Sequence, residues 1–200
     1  NYIKNGKKYI EVGATTPLII FEDYIQKYYP DFTTILKRYG SPQIRNVATI
    51  AGNIATASPI GDTLPLLLSL DAKIVLRSIK KTKIISLNNF FLDYRKTKLK
   101  KGQFIDSVRI PLFPKNIFKA YKVSKRFDDD ISSVCASFNL EVQNKKIKNI
   151  RVAYGGMASI PKRAKYCERI LSNSLITEQN INEAKKALEQ DFKPISDMRA

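Results

Sequence analysis

Residues 43–62 read QIRNVATIAGNIATASPIGD and lead into the apolar run LPLLLSL at 64–70. The stretch mixes small and polar residues and has few bulky side chains that could shield its own backbone. Gly52 and Gly61 permit a close approach between the backbone and a neighbouring group, and Asp62 is placed to cap a helix over the apolar run. We therefore expect this segment to lie against the core and to leave backbone amides for a ligand. Composition alone favours a simpler alternative, a buried turn that packs two helices together.

The charge of the chain is strongly positive, with a net value of +17 over 200 residues. The excess is mostly lysine, which occurs in short clusters at predicted turns. Such clusters usually indicate a solvated surface or protection of edge strands. A basic module that binds nucleic acid or an acidic partner stays open as an alternative, although no recognised binding motif accompanies the charge.

Histidine is absent and cysteine occurs twice. This composition excludes histidine-based acid–base catalysis and a Cys–His nucleophile pair, and it leaves too few ligands for a structural zinc or iron–sulfur site. Cys135 and Cys167 lie in apolar patterns and are predicted to be packed thiols. We expect no metal site, and redox chemistry would require a bound organic cofactor.

The ends and hydropathy of the chain give two further expectations. No apolar run approaches the length of a membrane span, and no leader peptide is apparent, which predicts a cytoplasmic protein. The opening NGKKYIEVGA at 5–14 reads as the second half of a hairpin. We therefore expect residues that precede Asn1.

The first part of the chain mixes strands and helices. Its predicted elements are a strand at 9–13, helices at 18–29, 31–39, 43–53 and 64–70, strands at 72–78 and 82–87, a loop at 87–97 and a strand at 103–111. Thr16 is predicted as the N-cap of the first helix, and Pro30 as the residue that ends it. Asp31 is a possible cap for the second helix, which Gly40 ends.

A boundary is predicted at 114–116, with one domain over 1–113 and another over 117–200. The second part is predicted to contain strands at 117–126, 131–142 and 149–157, then a helix that begins with Pro161 in its first turn, and a helix that Thr177 opens. Strands followed by two helices indicate a small α+β layer domain. The predicted fold class of the whole chain is therefore α+β.

The central run QIRNVATIAGNIATASPIGDTLP resembles the signature of the FAD-binding domain of xanthine dehydrogenase and related molybdenum hydroxylases. Its ASPIGD ending and the FFLDYRKT segment at 90–97 look most like the xanthine dehydrogenase branch. QFIDSVRIP at 103–111 is similar to a strand of that family, and YGGMA and the closing DMRA are similar to its next domain.

This resemblance implies the C-terminal part of a two-lobed FAD-binding domain, followed by a small α+β domain with an antiparallel sheet and two helices. Two departures accompany it. Ala51 stands where the family commonly has a first glycine, and the family's glycine-containing loop for the FAD pyrophosphate should precede residue 1.

The resemblance also implies which residues serve the cofactor. The FAD chain would contact four residues of the central stretch: Thr49, Gly52, Asn53 and Thr56. Asp62 would accept a hydrogen bond from a ribityl or ribose hydroxyl, Phe104 and Ile105 would form an apolar wall for the flavin ring, and Lys122 would place positive charge near its pyrimidine edge. Asp129 in the acidic loop would tune access of the electron acceptor. Local alternatives are helix caps for Thr49, Thr56 and Asp62, and a surface lysine for Lys122.

The function implied by the resemblance is electron transfer. The chain would hold FAD, receive electrons from a 2Fe-2S module that drains a molybdopterin site, and pass them to NAD as part of a hetero-oligomer. The 2Fe-2S cluster and the molybdopterin would lie on partner modules, where purine oxidation would take place. The alternative within the family is the flavin subunit of a carbon monoxide dehydrogenase or hydroxybenzoyl-CoA reductase type enzyme.

Overall fold

The computed structural model describes residues 1–194 and shows an α+β fold, as the sequence predicts. The strands are β1 Ile3–Asn5, β2 Tyr9–Gly13, β3 Lys73–Arg77, β4 Thr82–Ser86, β5 Phe91–Asp93, β6 Lys96–Thr97, β7 Phe104–Pro111, β8 Ile117–Val123, β9 Val134–Gln143, β10 Lys146–Gly155 and β11 Lys162–Arg163. The helices are α1 Leu18–Ile25, α2 Pro30–Lys37, α3 Pro42–Val47, α4 Ile50–Thr56, α5 Thr63–Ser69, α6 Lys165–Leu171 and α7 Glu178–Asp191. The DMRA segment singled out above lies at 197–200, outside the described residues.

Two antiparallel sheets organise these elements. The first has five strands in the order β1-β2-β7-β3-β4, and the second has four in the order β11-β10-β9-β8. A separate short hairpin of β5 and β6 lies within the segment that was predicted as a loop. Strand β7 occupies the centre of the first sheet, which places its residues between those of β2 and β3.

Helix α5 joins the two halves of the molecule. All seven of its residues are buried, and it packs against β9 and β10 of the second sheet. One apolar core therefore includes Leu66 of α5 together with Phe118, Cys135 and Ala153 from beyond the predicted boundary. Burial of each such leucine stabilises the fold by about 1.5–3 kcal/mol, so the packing of α5 couples the halves energetically.

A second, smaller core lies between β10 and the two C-terminal helices, and includes Val152, Cys167, Ala184 and Phe192. Both cysteines are buried and unbridged, in agreement with the prediction of packed thiols. The division into 1–113 and 117–200 stays a prediction, because the larger core extends across it.

The limits of the first two helices differ from the sequence predictions. Thr16 does not cap α1, because its hydroxyl instead donates to the carbonyl of Tyr2. Pro30 does not end that helix, which stops at Ile25; it begins α2, since proline fits the first helical position. Asp31 accordingly lies inside the first turn of α2 rather than capping it.

The helix predicted at 43–53 is divided into two. Ala48 and Thr49 both have extended backbones, which end α3 and allow Thr49 to cap α4. Buried Arg45 fixes this corner, because its guanidinium lies 3.1 Å from the Glu22 carboxylate and donates to the carbonyl of Gly40 at 2.6 Å.

The helix predicted to begin around Pro161 starts later, at Lys165. The residues after the proline instead form β11, which pairs with β10. Thr177 caps α7 as predicted, because its hydroxyl accepts a hydrogen bond from the amide of Asn180 at 3.2 Å. None of the helices within residues 1–194 is both long and apolar enough to cross a membrane.

Candidate functional site

Helix α4 presents a face of small residues to solvent. Gly52, Ala55 and Thr56 are exposed, whereas Ile50 and Ile54 point into the core. A Cβ atom placed on Gly52 would meet only the Thr49 hydroxyl, at 3.1 Å, so a ligand can approach the backbone here. The face arises because the apolar residues of the helix lie on one side and only small side chains lie on the other.

Thr49, which caps α4, and Thr56, its last residue, make local hydrogen bonds. Thr49 Oγ1 accepts from the amide of Gly52 at 3.0 Å, and Thr56 Oγ1 donates to the carbonyl of Asn53 at 2.8 Å. A hydroxyl can both donate and accept, so Thr49 retains its proton and Thr56 retains lone pairs for a ligand. The alternative of local caps is therefore observed for Thr49, and it is compatible with ligand contact.

Asn53 lies beneath this face and connects α4 to its neighbours. Its amide nitrogen donates to the hydroxyl of Tyr39 at 3.0 Å, and its amide oxygen accepts from Thr63 at 2.5 Å. A Cβ atom on Gly61 would lie 3.2 Å from both polar atoms of the Asn53 amide, so glycine provides the space that this arrangement needs. Asn53 thus fixes the position of α4, and its side chain is largely committed to the protein.

Asp62 and Lys122 form a buried ion pair. Lys122 Nζ lies 2.8 Å from Asp62 Oδ2, and the two side chains are only 2% and 7% exposed, respectively. The other carboxylate oxygen, Oδ1, accepts a hydrogen bond from the hydroxyl of Ser132. Asp62 occupies the N-cap position of α5 but makes no capping bond, because both of its oxygens are directed to these partners. The side-chain cap predicted from the sequence is therefore wrong.

Lys122 is not a surface lysine. Along β8 the residues alternate between exposed and buried, which directs Phe118, Ala120 and Lys122 to the inner side. Lys122 Nζ also donates to the carbonyl of Arg38 at 2.9 Å. An ammonium has three protons, so one proton remains beyond the bonds to Asp62 and Arg38.

Arg38 holds the segment that follows β8. Its guanidinium donates to the carbonyl of Lys122 at 3.0 Å, to the carbonyl of Phe127 at 2.9 Å and to the hydroxyl of Ser124 at 3.2 Å. The same group lies over the Phe127 ring, 4.5 Å from its centroid. One side chain of the first half thereby fixes the path of 122–127.

The negative charge of the Asp62 carboxylate contributes to raised pKa values at two neighbouring groups, the Tyr39 hydroxyl and the Cys135 thiol. Burial raises the pKa of the Tyr39 hydroxyl, and the negative charge of Asp62 adds to that effect. Burial and the same charge raise the pKa of the Cys135 thiol well above its usual value, and this thiol donates to the carbonyl of Asp62 at 3.6 Å. Tyr39 and Cys135 are therefore neutral near pH 7.

The acidic turn 126–131 carries Asp129 at its tip. Asp129 is exposed and has a left-handed backbone, with φ of 51°. Asp130 holds the turn, because its carboxylate accepts from the amides of Arg126 and Ile131 at 2.8 and 2.9 Å. The bond from the Arg126 amide lowers the pKa of Asp130.

Phe104 and Ile105 lie at the start of β7 on opposite faces of the sheet. Phe104 is 52% exposed, whereas Ile105 is 6% exposed and belongs to the core. Successive residues of a strand point to opposite sides, so the two side chains do not form one continuous wall. Helix α4 packs against β7.

Sequence reasoning missed three residues of this site: Arg38, Tyr39 and Ser132. Each one contacts a predicted site residue through the fold alone, and Ser132 is 70 positions from its partner Asp62. Of the three, only Ser132 could have been suspected from the local sequence, because it directly follows the acidic turn. Within residues 1–194, no group of three or more His, Cys, Asp or Glu side chains could hold a metal ion.

Comparison with protein families matches both parts of the chain. Residues 1–113 match the family described as FAD binding domain in molybdopterin dehydrogenase. Residues 119–200 match the CO dehydrogenase flavoprotein C-terminal domain.

Curated relatives include a xanthine dehydrogenase of Emericella nidulans, which is 35% identical over 199 residues that cover 92% of this chain and 15% of the relative. A xanthine dehydrogenase FAD-binding subunit of Escherichia coli O157:H7 is 28% identical over 94% of this chain and 65% of its own length. The chain thus spans only about 15% of the length of the fungal relative.

Among solved structures, a carbon monoxide dehydrogenase from Hydrogenophaga pseudoflava superposes with a TM-score of 0.93. The match covers 99% of this chain and 70% of the other chain, at 22% sequence identity. An identity this low establishes the shared fold and leaves the substrate undetermined.

Proposed function

The chain belongs to the family of FAD-binding domains of molybdopterin dehydrogenases, and we propose that it is the electron-transfer module of a xanthine dehydrogenase-like molybdenum hydroxylase. In this proposal the chain takes electrons from a 2Fe-2S module, which receives them from a molybdopterin site. It passes them to NAD in the cytoplasm. Both metal-containing modules belong to partners in a hetero-oligomer.

The observation that carries the proposal is the buried Lys122–Asp62 pair close to the corner between α4 and α5. Asn53 of α4 is bonded to Thr63, which adjoins Asp62, so the small-residue face and the ion pair share one rigid support. A dinucleotide cofactor needs backbone and hydroxyl groups for its chain and a fixed charge near its ring. The residues present fit that requirement.

Bound FAD would supply the redox chemistry, and the protein supplies placement and electrostatics. Gly52 allows the backbone of α4 to come close to a ligand, and the hydroxyls of Thr49 and Thr56 can each form one further hydrogen bond. Lys122 retains one proton to donate. Because its side chain is only 2% exposed, solvent and salt screen its charge weakly.

Asp62 has a positioning role in this proposal. Its oxygens hold Lys122 and Ser132, which fixes the ammonium relative to α5. Each carboxylate oxygen can accept more than one hydrogen bond, so acceptance of a ligand hydroxyl is compatible with these contacts. The ammonium consequently adopts one position before any ligand arrives, and little reorganisation is needed on binding.

Asp129 is proposed to regulate access of the electron acceptor. It lies at the exposed tip of a turn that Arg38 and Asp130 hold in place, so its charge has a defined position. In the assembled enzyme, Asp129→Ala should change the rate of NAD reduction relative to that of oxygen reduction. Unchanged rates with both acceptors would contradict this role.

The xanthine dehydrogenase branch is preferred over the carbon monoxide dehydrogenase branch on sequence similarity. The fungal xanthine dehydrogenase is 35% identical to this chain, whereas the carbon monoxide dehydrogenase structure is 22% identical. The assembled enzyme should therefore oxidise purines with NAD as acceptor. Oxidation of carbon monoxide or reduction of an aromatic CoA thioester, without purine turnover, would favour the alternative.

A further inference from the structure

A basic cleft lies beside the start of β7, where Leu76 pairs with Ile105 and Gln103 precedes Phe104. It has a volume of about 810 Å³ and is lined by segments around β3, β4, β5 and β6. Four lysines contribute to its lining: Lys81, Lys83, Lys98 and Lys100. All four are exposed, and none forms an ion pair with an acidic residue within 1–194.

The floor of the cleft is apolar. Leu76, Ile85 and Leu99 line it, and Leu76 is almost completely buried. Lys83 and Leu76 are direct partners in the β3–β4 pairing, so they share one face of the first sheet. A cationic rim therefore stands directly beside an apolar surface that could contact a planar ring.

Polar side chains with spare hydrogen-bonding groups complete the lining. Gln103 Oε1 accepts from the amide of Lys100 at 3.2 Å, which leaves the Gln103 NH₂ group for a ligand. Thr97 Oγ1 accepts from the amide of Leu99 at 3.2 Å, which leaves its hydroxyl proton. Among the described residues that line the cleft there is no Asp or Glu.

We propose that this cleft binds a phosphate-bearing nucleotide at a site separate from that of FAD. Its volume is in the range of about 300–1,000 Å³ that is usual for small-ligand sites. Lysines act as point charges for phosphate, the apolar floor suits the face of a base, and Gln103 and Thr97 offer donors to its polar edges. A neutral or purely inorganic ligand would use only half of these features.

The cleft uses none of the residues assigned to the flavin. Its lining contains none of Thr49, Gly52, Asn53, Thr56, Asp62, Phe104, Ile105 and Lys122, although Leu76 pairs with Ile105 and Gln103 precedes Phe104. Because ADP is also part of NAD, ADP binding that Lys83→Glu/Lys98→Glu leaves unchanged would belong to the proposed acceptor site and would overturn the cleft.

The test is calorimetric titration of ADP into the assembled, FAD-loaded enzyme, so that the flavin site is already filled. Two probes are compared with ADP: adenosine, which lacks the phosphates, and inorganic pyrophosphate, which lacks the base. We expect saturable ADP binding that is at least about tenfold tighter than binding of either probe, equivalent to about 1.4 kcal/mol. Equal affinity for pyrophosphate and ADP would overturn the role of the apolar floor, and absence of ADP binding would overturn the site.

Matched charge reversals separate a local site from attraction by the net charge of +17. Lys83→Glu/Lys98→Glu should weaken ADP binding at least about tenfold. Lys7→Glu/Lys8→Glu, with the same change in net charge at the β1–β2 turn, should leave it within about twofold. Equal losses in both variants would mean non-specific attraction and would contradict the proposal.

FAD affinity provides the last control. The Lys83→Glu/Lys98→Glu variant should bind FAD as the wild type does, because its substitutions lie outside the flavin residues. Parallel loss of FAD and ADP binding would show that the cleft belongs to the flavin site, which would overturn the separate site.

Discussion

Lys122 Nζ lies 2.8 Å from Asp62 Oδ2, and the pair connects positions 60 residues apart with both side chains almost completely buried. Burial of two charges carries a large desolvation penalty that is offset only when both groups are well bonded. Here Ser132 and the carbonyl of Arg38 supply the additional bonds. Because one partner precedes the predicted boundary at 114–116 and the other follows it, the pair fixes the two halves relative to each other.

Removal of one member of this pair should destabilise the protein strongly. Lys122→Met leaves the Asp62 carboxylate buried without its cation, and we expect a loss of about 3–5 kcal/mol of unfolding free energy. Urea denaturation measures this loss. Lys119→Met is the matched control on the same strand, where the ion pair with Asp31 is exposed and worth about 1 kcal/mol or less.

The double variant Lys122→Met/Asp62→Leu tests whether the two residues are energetically coupled. Replacement of both charges removes the buried unpaired carboxylate, so stability should recover by about 1 kcal/mol or more relative to Lys122→Met alone. Additive losses in the double variant would contradict an energetic coupling between the two residues.

A large side chain on the small-residue face of α4 should block FAD binding without lowering the stability of the fold. In Gly52→Leu the new Cβ meets only the Thr49 hydroxyl, a tight contact at 3.1 Å, and replacement of a helical glycine removes a cost of about 0.5–1 kcal/mol that offsets it. We therefore expect unchanged or raised stability together with FAD affinity lowered at least about tenfold. Asn182→Leu, at an exposed position of α7, should change neither property. Normal FAD affinity in Gly52→Leu would mean that the cofactor does not approach this face.

Loss of Arg38 should loosen the acidic turn. Arg38→Ala removes three hydrogen bonds and the stacking on Phe127, so amides of 124–131 should exchange with solvent at least about tenfold faster. Hydrogen–deuterium exchange measures the change. Arg126→Ala is the comparison, because that side chain is 80% exposed and forms only a long contact of 3.6 Å with Asp130. Equal protection in Arg38→Ala and the wild type would contradict the assigned role.

Acid should weaken the first sheet through Glu11. Burial raises the pKa of its carboxyl, but hydrogen bonds from Arg109 and Ser107 outweigh that effect, so the pKa is lowered from 4.5. The folded state therefore binds its proton less readily than the unfolded state. The resulting stabilisation is present above about pH 4.5 and is lost as the pH falls through the folded-state pKa.

Urea denaturation at several pH values checks this effect. In Glu11→Gln the loss of stability on acidification should be smaller than in the wild type, while stability near pH 7 should be lower. An identical pH dependence in the two proteins would show that Glu11 does not contribute.

The sequence predicted local structure best where one residue pattern decided it. Alternation in β8 and β9 and the cap at Thr177 were readable, because each depends on neighbours within a few positions. The break between α3 and α4 at Ala48 could not be predicted from the local sequence. It places Thr49 where it can cap α4 and pair with Pro17, a contact made only in the folded chain.

The site was predictable in part. The central stretch identified Gly52 and Asp62 as unusual positions, but the partner of Asp62 could not be read from it, since Lys122 and Ser132 lie 60 and 70 residues away. The sequence predicted that Gly61 permits a close approach, and the structure identifies the Asn53 amide as one of the groups that approach it. Local sequence indicates which residues are available, and tertiary packing decides which of them meet.

The most direct test of the flavin site is FAD titration into the flavin-depleted assembled enzyme, followed by quenching of flavin fluorescence. The wild type, Asp62→Asn and the control Lys119→Met are compared after circular dichroism has established that each is folded. We expect saturable quenching in the wild type and the control, and an affinity at least about tenfold lower in Asp62→Asn, because the amide no longer anchors the Lys122 charge. Equal affinities in all three folded proteins would contradict a flavin site organised by Asp62 and Lys122.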